Sequence, residues 1–193
     1  KVTEKRFEMI GPTVSAELKT KSFLAIVFVL MAIILYIAFA FRKVSRPISS
    51  WKYGICAVLA LFHDVIIPTG VFAVLGHFFG VEVDTLFVTA LLTVLGFSVH
   101  DTIVVYDRIR ENLLKFPRET FEEVVNRSVN QTAVRSVNTS LTVLLVLLAT
   151  FFFGGESIKY FVLTLIIGVV FGTYSSIFIA SPLLVIWNRA AKR

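Results

Sequence analysis

Residues 22–41 read SFLAIVFVLMAIILYIAFAF, a run without a single charge, bracketed by Lys21 and by Arg42 and Lys43. The hydrocarbon core of a bilayer is about 30 Å thick, and a helix crosses it in about 20 residues. The run is therefore a membrane span. Four more long apolar runs follow, at about 51–75, 85–106, 132–153 and 160–187. The 193 residues are 56% hydrophobic and 17% charged, against about 45–50% and about 25% in soluble domains. The excess sits in the five runs, which excludes a free cytosolic enzyme, a disordered tail and a disulfide-stapled secreted domain. Cys56 is the single cysteine and has no partner for an internal bridge.

The loops set the direction of the spans. Residues 42–52 carry Arg42, Lys43, Arg46 and Lys52, and residues 107–131 carry Arg108, Arg110, Lys115, Arg118 and Arg127. Residues 76–84 carry no Lys or Arg, and residues 154–159 carry only Lys159. Basic loops stay cytoplasmic, so the C-terminus, with Arg189, Lys192 and Arg193, is expected inside. Five spans then put residues 1–21 outside, although that stretch holds Lys1, Lys5, Arg6, Lys19 and Lys21. The rule is weak for long translocated domains. The expectation is that residues 1–21 are the end of a larger external domain preceded by a further span, and that residues 22–193 form the transmembrane domain. The formal charge of +6 thus reports loop placement; nothing in it points to nucleic acid.

The connector between the third and fourth spans has helical character. After Pro117, apolar Phe121, Val124, Val125 and Val129 recur at helical spacing, with Arg118, Glu119, Glu122, Glu123 and Arg127 between them. Proline suits a helix start, where its missing N–H needs no partner. The pattern predicts a short amphipathic cytoplasmic helix.

Ionisable residues inside spans cost roughly 2.5–3.5 kcal/mol each on insertion scales and face a bundle interior or a water path. The four that matter here are His63, Asp64, Asp101 and Arg135; His100 also lies in the third span but is displaced from the Asp101 face. The third and fourth spans run antiparallel, and Asp101 and Arg135 lie at similar depth near their cytoplasmic ends. Gln131, Arg135, Asn138 and Thr142 share one helix face, and Ser98, Asp101 and Arg108 share a related face on the third span. Two polar stripes predict a hydrated seam. The pair reads either as a structural ion pair or as a proton or ion relay. A carboxylate beside arginine normally stays ionised, so a carrier must exchange partners during a cycle. His63 and Asp64 read either as helix–helix hydrogen bonding near Pro68 or as a second relay station. Gly168, Gly172, Ser176 and Ala180 form a small-residue stripe suited to close helix packing. The sequence has no metal-ligand set, no phosphate-binding glycine loop and no nucleophile–base pair. No cofactor, metal or catalytic residue is expected.

Residues 95–112, LGFSVHDTIVVYDRIREN, closely resemble the signature of the SecF branch of the SecD/SecF protein-export family. Residues 10–13 (IGPT), 61–67 (LFHDVII), 126–142 (NRSVNQTAVRSVNTSLT) and 171–182 (FGTYSSIFIASP) resemble its other motifs, in order. The resemblance covers nearly the whole chain. It implies an all-α membrane protein, with five helices present of a six-helix bundle related to the resistance-nodulation-division transporters. It also implies a bacterial inner-membrane location, a SecD-like partner, association with the SecYEG channel and use of the proton-motive force to promote polypeptide translocation. Asp101 and Arg135 match the family positions tied to proton movement. The alternatives are a half-transporter of the same superfamily exporting a small molecule or lipid, and a structural membrane scaffold.

Overall fold

The computed structural model describes residues 12–40 and 49–190, and side chains from Thr20 onward. Lys1, Lys5, Arg6, the motif start at Ile10, and Arg42, Lys43, Arg46, Lys192 and Arg193 lie outside the described residues. The described chain is helical, with α1 (Pro12–Ala40), α2 (Ser50–Phe79), α3 (Thr85–Lys115) and α4 (Phe121–Phe153). A 3₁₀ turn (Glu156–Ile158) leads into α5 (Lys159–Ser175), a π turn (Ser176–Ala180) and α6 (Ser181–Ala190). Five helical stretches among the described residues are long and apolar enough to cross a membrane, the last running from Glu156 to Ala190. The protein is an all-α membrane protein.

Local chemistry sets the helix ends. Gly80 closes α2 with φ 67°, a left-handed conformation that a β-carbon would oppose, and its N–H bonds back to the Gly76 carbonyl. Asp84 caps α3, its side chain accepting the Phe87 N–H at 2.8 Å. Thr120 caps α4 in a reciprocal box. Its hydroxyl accepts the Glu123 N–H at 3.3 Å, and the Glu123 carboxylate accepts the Thr120 N–H at 2.8 Å. The amphipathic stretch expected after Pro117 is therefore not a separate helix. It forms the first turns of α4, and Pro117 lies in the turn before the cap.

The helix α5 is the hub of the bundle, packed against α2, α3 and α4. It reaches them through small residues. A β-carbon on Gly168 would overlap the Val94 side chain, and one on Gly172 would lie 3.0 Å from Ser98 Cβ. The stripe on α5 thus meets α3 within this chain. The first helix sits at the periphery against α2, with Ile37 its one fully buried side chain among the described residues. A cluster around Tyr53, Cys56, Ala57, Val105, Tyr106, Ile109 and Leu184 fills the end of the bundle near the basic loops. There Tyr106 donates to the Ala180 carbonyl at 3.1 Å.

Candidate functional site: two buried carboxylates in one layer

Four helices bring polar side chains to one depth. At 1.5 Å per residue, Asp64, Asp101, Ser136 and Ser175 lie about 22–26 Å from the helix ends on the side of the α2–α3 turn. Hydroxyl oxygens surround both carboxylates. Asp101 is 7% exposed and accepts from Ser136 Oγ at 2.6 Å and from Ser176 Oγ at 2.5 Å. Asp64 is fully buried and accepts from Ser175 Oγ at 2.7 Å and from Ser98 Oγ. His63 Nδ1 lies 2.9 Å from the other Asp64 oxygen, and the His63 ring rests near Phe171 and Tyr174.

A cation beside a buried carboxylate fixes its charge; hydroxyls are compatible with both the ionised and the protonated form, because each is a donor and an acceptor. Asp101 has only hydroxyl partners among the described residues, and Asp64 has hydroxyls and one imidazole. The arrangement can therefore hold or release a proton without leaving a polar group unpaired. That property matters in a low-dielectric interior, where an unpaired buried group costs about 1–3 kcal/mol.

Arg135 is elsewhere. It is exposed on the outside of α4 and its guanidinium has no ion-pair partner among the described residues. The shared depth with Asp101 holds, since Asp101 touches the next residue, Ser136. The azimuth differs by one residue, or about 100°. The face of α4 turned inward is Ser128, Thr132, Ser136 and Ser140, all buried, with Ser140 and Thr173 hydroxyls in contact across to α5. The stripe Gln131, Arg135, Asn138 and Thr142 faces outward. Gln131 is gathered into a clasp near the α3–α4 turn. Its Oε1 accepts from Arg108 Nε at 2.7 Å and from Asn112 Nδ2 at 2.8 Å, while Asn112 also donates to Ser128 at 2.9 Å. Asn138 lies on the exposed face with Arg135.

The site thus contains Ser98, Asp101, Asp64, His63 and Ser176 from the expected set, and leaves Arg135, Gln131 and Asn138 outside it. Ser136, Ser175 and Thr173 are the residues sequence reasoning missed. The +4 spacing of Ser128, Thr132, Ser136 and Ser140 was the signal on α4. It ran parallel to the stripe that contained the charge.

The chain matches the family described as protein export membrane protein SecD/SecF, C-terminal, over residues 1–190. It is 61% identical over 182 residues to the protein translocase subunit SecF of Thermobaculum terrenum, covering 94% of this chain and 56% of that protein. Against the SecF of Anaerolinea thermophila it is 46% identical over 188 residues, covering 97% of this chain and 60% of that one. It is 41% identical over 192 residues to the protein translocase subunit SecDF of Thermus thermophilus, 24% of whose length it covers. The crystal structure of SecDF in a super-membrane-facing form superposes with a TM-score of 0.80 at 40% identity, covering 95% of this chain and 23% of that one. The chain therefore spans a little over half the length of the two SecF relatives and about a quarter of the SecDF proteins.

Proposed function

Because the chain belongs to the SecD/SecF family of protein-export membrane proteins, we propose that it is the membrane part of a SecF-type accessory subunit. In this reading it uses proton movement through its carboxylate layer to promote polypeptide translocation by the Sec channel. The observation that carries the proposal is the pair of buried carboxylates held by hydroxyls at one depth. Intramembrane ionisable residues are seldom kept for packing alone.

The roles divide as follows. Asp101 is the proton carrier. Asp64, with His63, is a second station on the same layer. Arg135 is a fixed charge, since its side chain keeps its proton at any physiological pH. It acts from the outer face of α4, where Asn138 and Thr142 accompany it. Polar side chains do not face lipid tails at mid-span, so that face is where a SecD-like subunit packs. Such a subunit accords with the single-chain SecDF relative, in which both halves share one polypeptide. The basic connectors and the C-terminal end of α6 lie on the cytoplasmic side of the inner membrane.

The test is Asp101→Asn in the full subunit, assembled with its SecD-like partner and SecYEG in vesicles, with and without a proton gradient. The amide preserves shape and removes titration. The complex is expected to assemble, to export at the gradient-free rate, and to lose gradient-dependent stimulation. Full stimulation by the variant would refute the relay and leave the carboxylate as packing.

A further inference from the structure

The tandem Ser175–Ser176 sits where α5 passes into its π turn, and each serine reaches a different carboxylate. Each also reaches a backbone carbonyl of its own helix. Ser175 Oγ lies 3.1 Å from the Gly172 oxygen, and Ser176 Oγ lies 2.9 Å from the Thr173 oxygen. A hydroxyl has one proton. Facing an ionised carboxylate and a carbonyl, both pure acceptors, it can serve only one of them. We propose that Ser175 and Ser176 are a two-position hydroxyl switch that couples the protonation of Asp64 to that of Asp101. This rests on the reading of both carboxylates as proton carriers, and goes beyond it by naming the positioning residues that link them.

The proton balance is simple. When Asp101 is ionised, Ser176 O–H donates to Asp101 Oδ2. When a proton binds Asp101, a new Oδ2–H bond forms and donates to Ser176 Oγ. Ser176 O–H then turns to the Thr173 carbonyl. Loss of the proton reverses the turn, and the serine keeps its own proton throughout. Asp64, Ser175 and the Gly172 carbonyl repeat the same cycle. Ser136 shows no such second acceptor, since Asp101 is the one bond its side chain makes among the described residues.

Two features make the pair a coupler. The serines are consecutive, and so are the carbonyls they turn to, so both switches act on one turn of backbone. A serine bonded back to its own helix bends that helix, and the π turn that follows is a place where the ladder is already widened. The state of one hydroxyl therefore alters the turn from which the other hangs. Among the described residues, His63 is the one further titratable side chain in contact with either carboxylate, and it touches Asp64 only. Ser98 and Ser136 complete the shell from α3 and α4.

The experiment uses the full subunit with its SecD-like partner in lipid vesicles, and follows each carboxyl group by infrared difference spectroscopy across pH. Asp64→Asn and Asp101→Asn assign the two bands. In the otherwise native protein, Asp101→Asn is expected to displace the midpoint of the Asp64 band by about one pH unit, a tenfold change in proton affinity. With Ser175→Ala and Ser176→Ala also present, that displacement is expected to fall at least threefold. Ser136→Ala is expected to leave it intact, which separates the switch from general loosening of the site. A Ser175→Cys, Ser176→Cys pair, which keeps the shape in a slightly larger side chain and retains a weak donor, is expected to restore part of it. Partner co-purification reports whether each variant is folded. An equal displacement with and without the serines, or none in the native background, overturns the switch while leaving two titrating carboxylates and the proposed function in place. Carboxyl bands that do not titrate at all overturn both.

Discussion

Arg135 shows how far a single side chain is specified by its sequence. The residue type announces that its surroundings must be polar, and its depth matches that of Asp101. Its direction around the helix is fixed only by how α4 rolls against α3 and α5. The small hydroxyls of Ser136 and Ser140 permit closer approach than an arginine would, so they take the inward face and the guanidinium turns out. Arginine presents a planar fork that lysine lacks. Arg135→Lys keeps the charge, so the complex with a SecD-like partner is expected to form. The loss of one charge-assisted hydrogen bond, about 1.5 kcal/mol, is expected to weaken that association about tenfold. Quantitative co-purification or a binding titration in detergent checks this, and unchanged affinity would remove Arg135 from the interface. Asp64 tells the opposite story. Adjacent residues on a helix diverge by about 100°, yet the His63 ring folds back to reach Asp64 at 2.9 Å. The sequence shows the pair; only the packing of α3 and α5 over Asp64 decides that its partners are serines.

At the scale of the element, the close approach of α5 to α3 is the feature most sensitive to volume. A single methyl at Gly168 collides with Val94. Overpacking of this kind costs about 1–3 kcal/mol. Gly168→Ala is expected to lower the thermal midpoint of the detergent-solubilised protein. Adding Val94→Ala makes room for the new methyl and is expected to recover most of the loss. A strictly additive double variant would show that the two positions are not in contact. The +4 run of small residues announces a close helix contact, because only small side chains let two backbones meet; it leaves open which helix is met, this chain's own or a SecD-like partner's. The π turn was not legible. No residue between Ser176 and Ala180 demands i→i+5 bonding; beside the turn, Pro182 has no N–H to offer the Phe178 carbonyl, and the Ser181 hydroxyl donates to the Ser176 carbonyl at 3.0 Å.

For the molecule as a whole, the charge of the connectors and the arrangement of the helices agree. The α3–α4 connector carries Lys115 and Arg118 and lies at one end of the bundle, while the turns containing Gly80 and Gly155 lie at the other. Native Cys56 is buried, which leaves introduced thiols easy to read. Gly155→Cys and Gly80→Cys are expected to react with a membrane-impermeant reagent added outside intact cells, and Arg118→Cys only after the membrane is opened. Labelling of Arg118→Cys in sealed cells would invert the orientation proposed here. The number of spans and their alternation were readable because a bilayer imposes one length on every crossing. The identity of the buried layer was not, because four helices contribute to it and their rotations are settled jointly.

The π turn also sets the phase of the last span. A stripe that steps by four residues drifts about 40° around an α-helix at each step. Gly168, Gly172, Ser176, Ala180, Leu184 and Asn188 step this way, and all six are buried. Left to a uniform helix, five steps would carry the stripe through about 200°, from the core out to the lipid. The π turn takes up one extra residue without advancing the rotation, which returns about 100° of that drift, so the span behaves as two waves joined at a dislocation. Deleting one residue between Ser176 and Ala180 would heal the dislocation and keep Leu184 and Asn188 on the core side, whereas adding one would swing them about 100° out of it. The added residue is expected to give a protein that still enters the membrane but loses the packing of α6, seen as protease sensitivity confined to the end that carries Arg189; the deletion is expected to keep that end protected. Tolerance to substitution should likewise follow one rhythm before the turn and a shifted one after it.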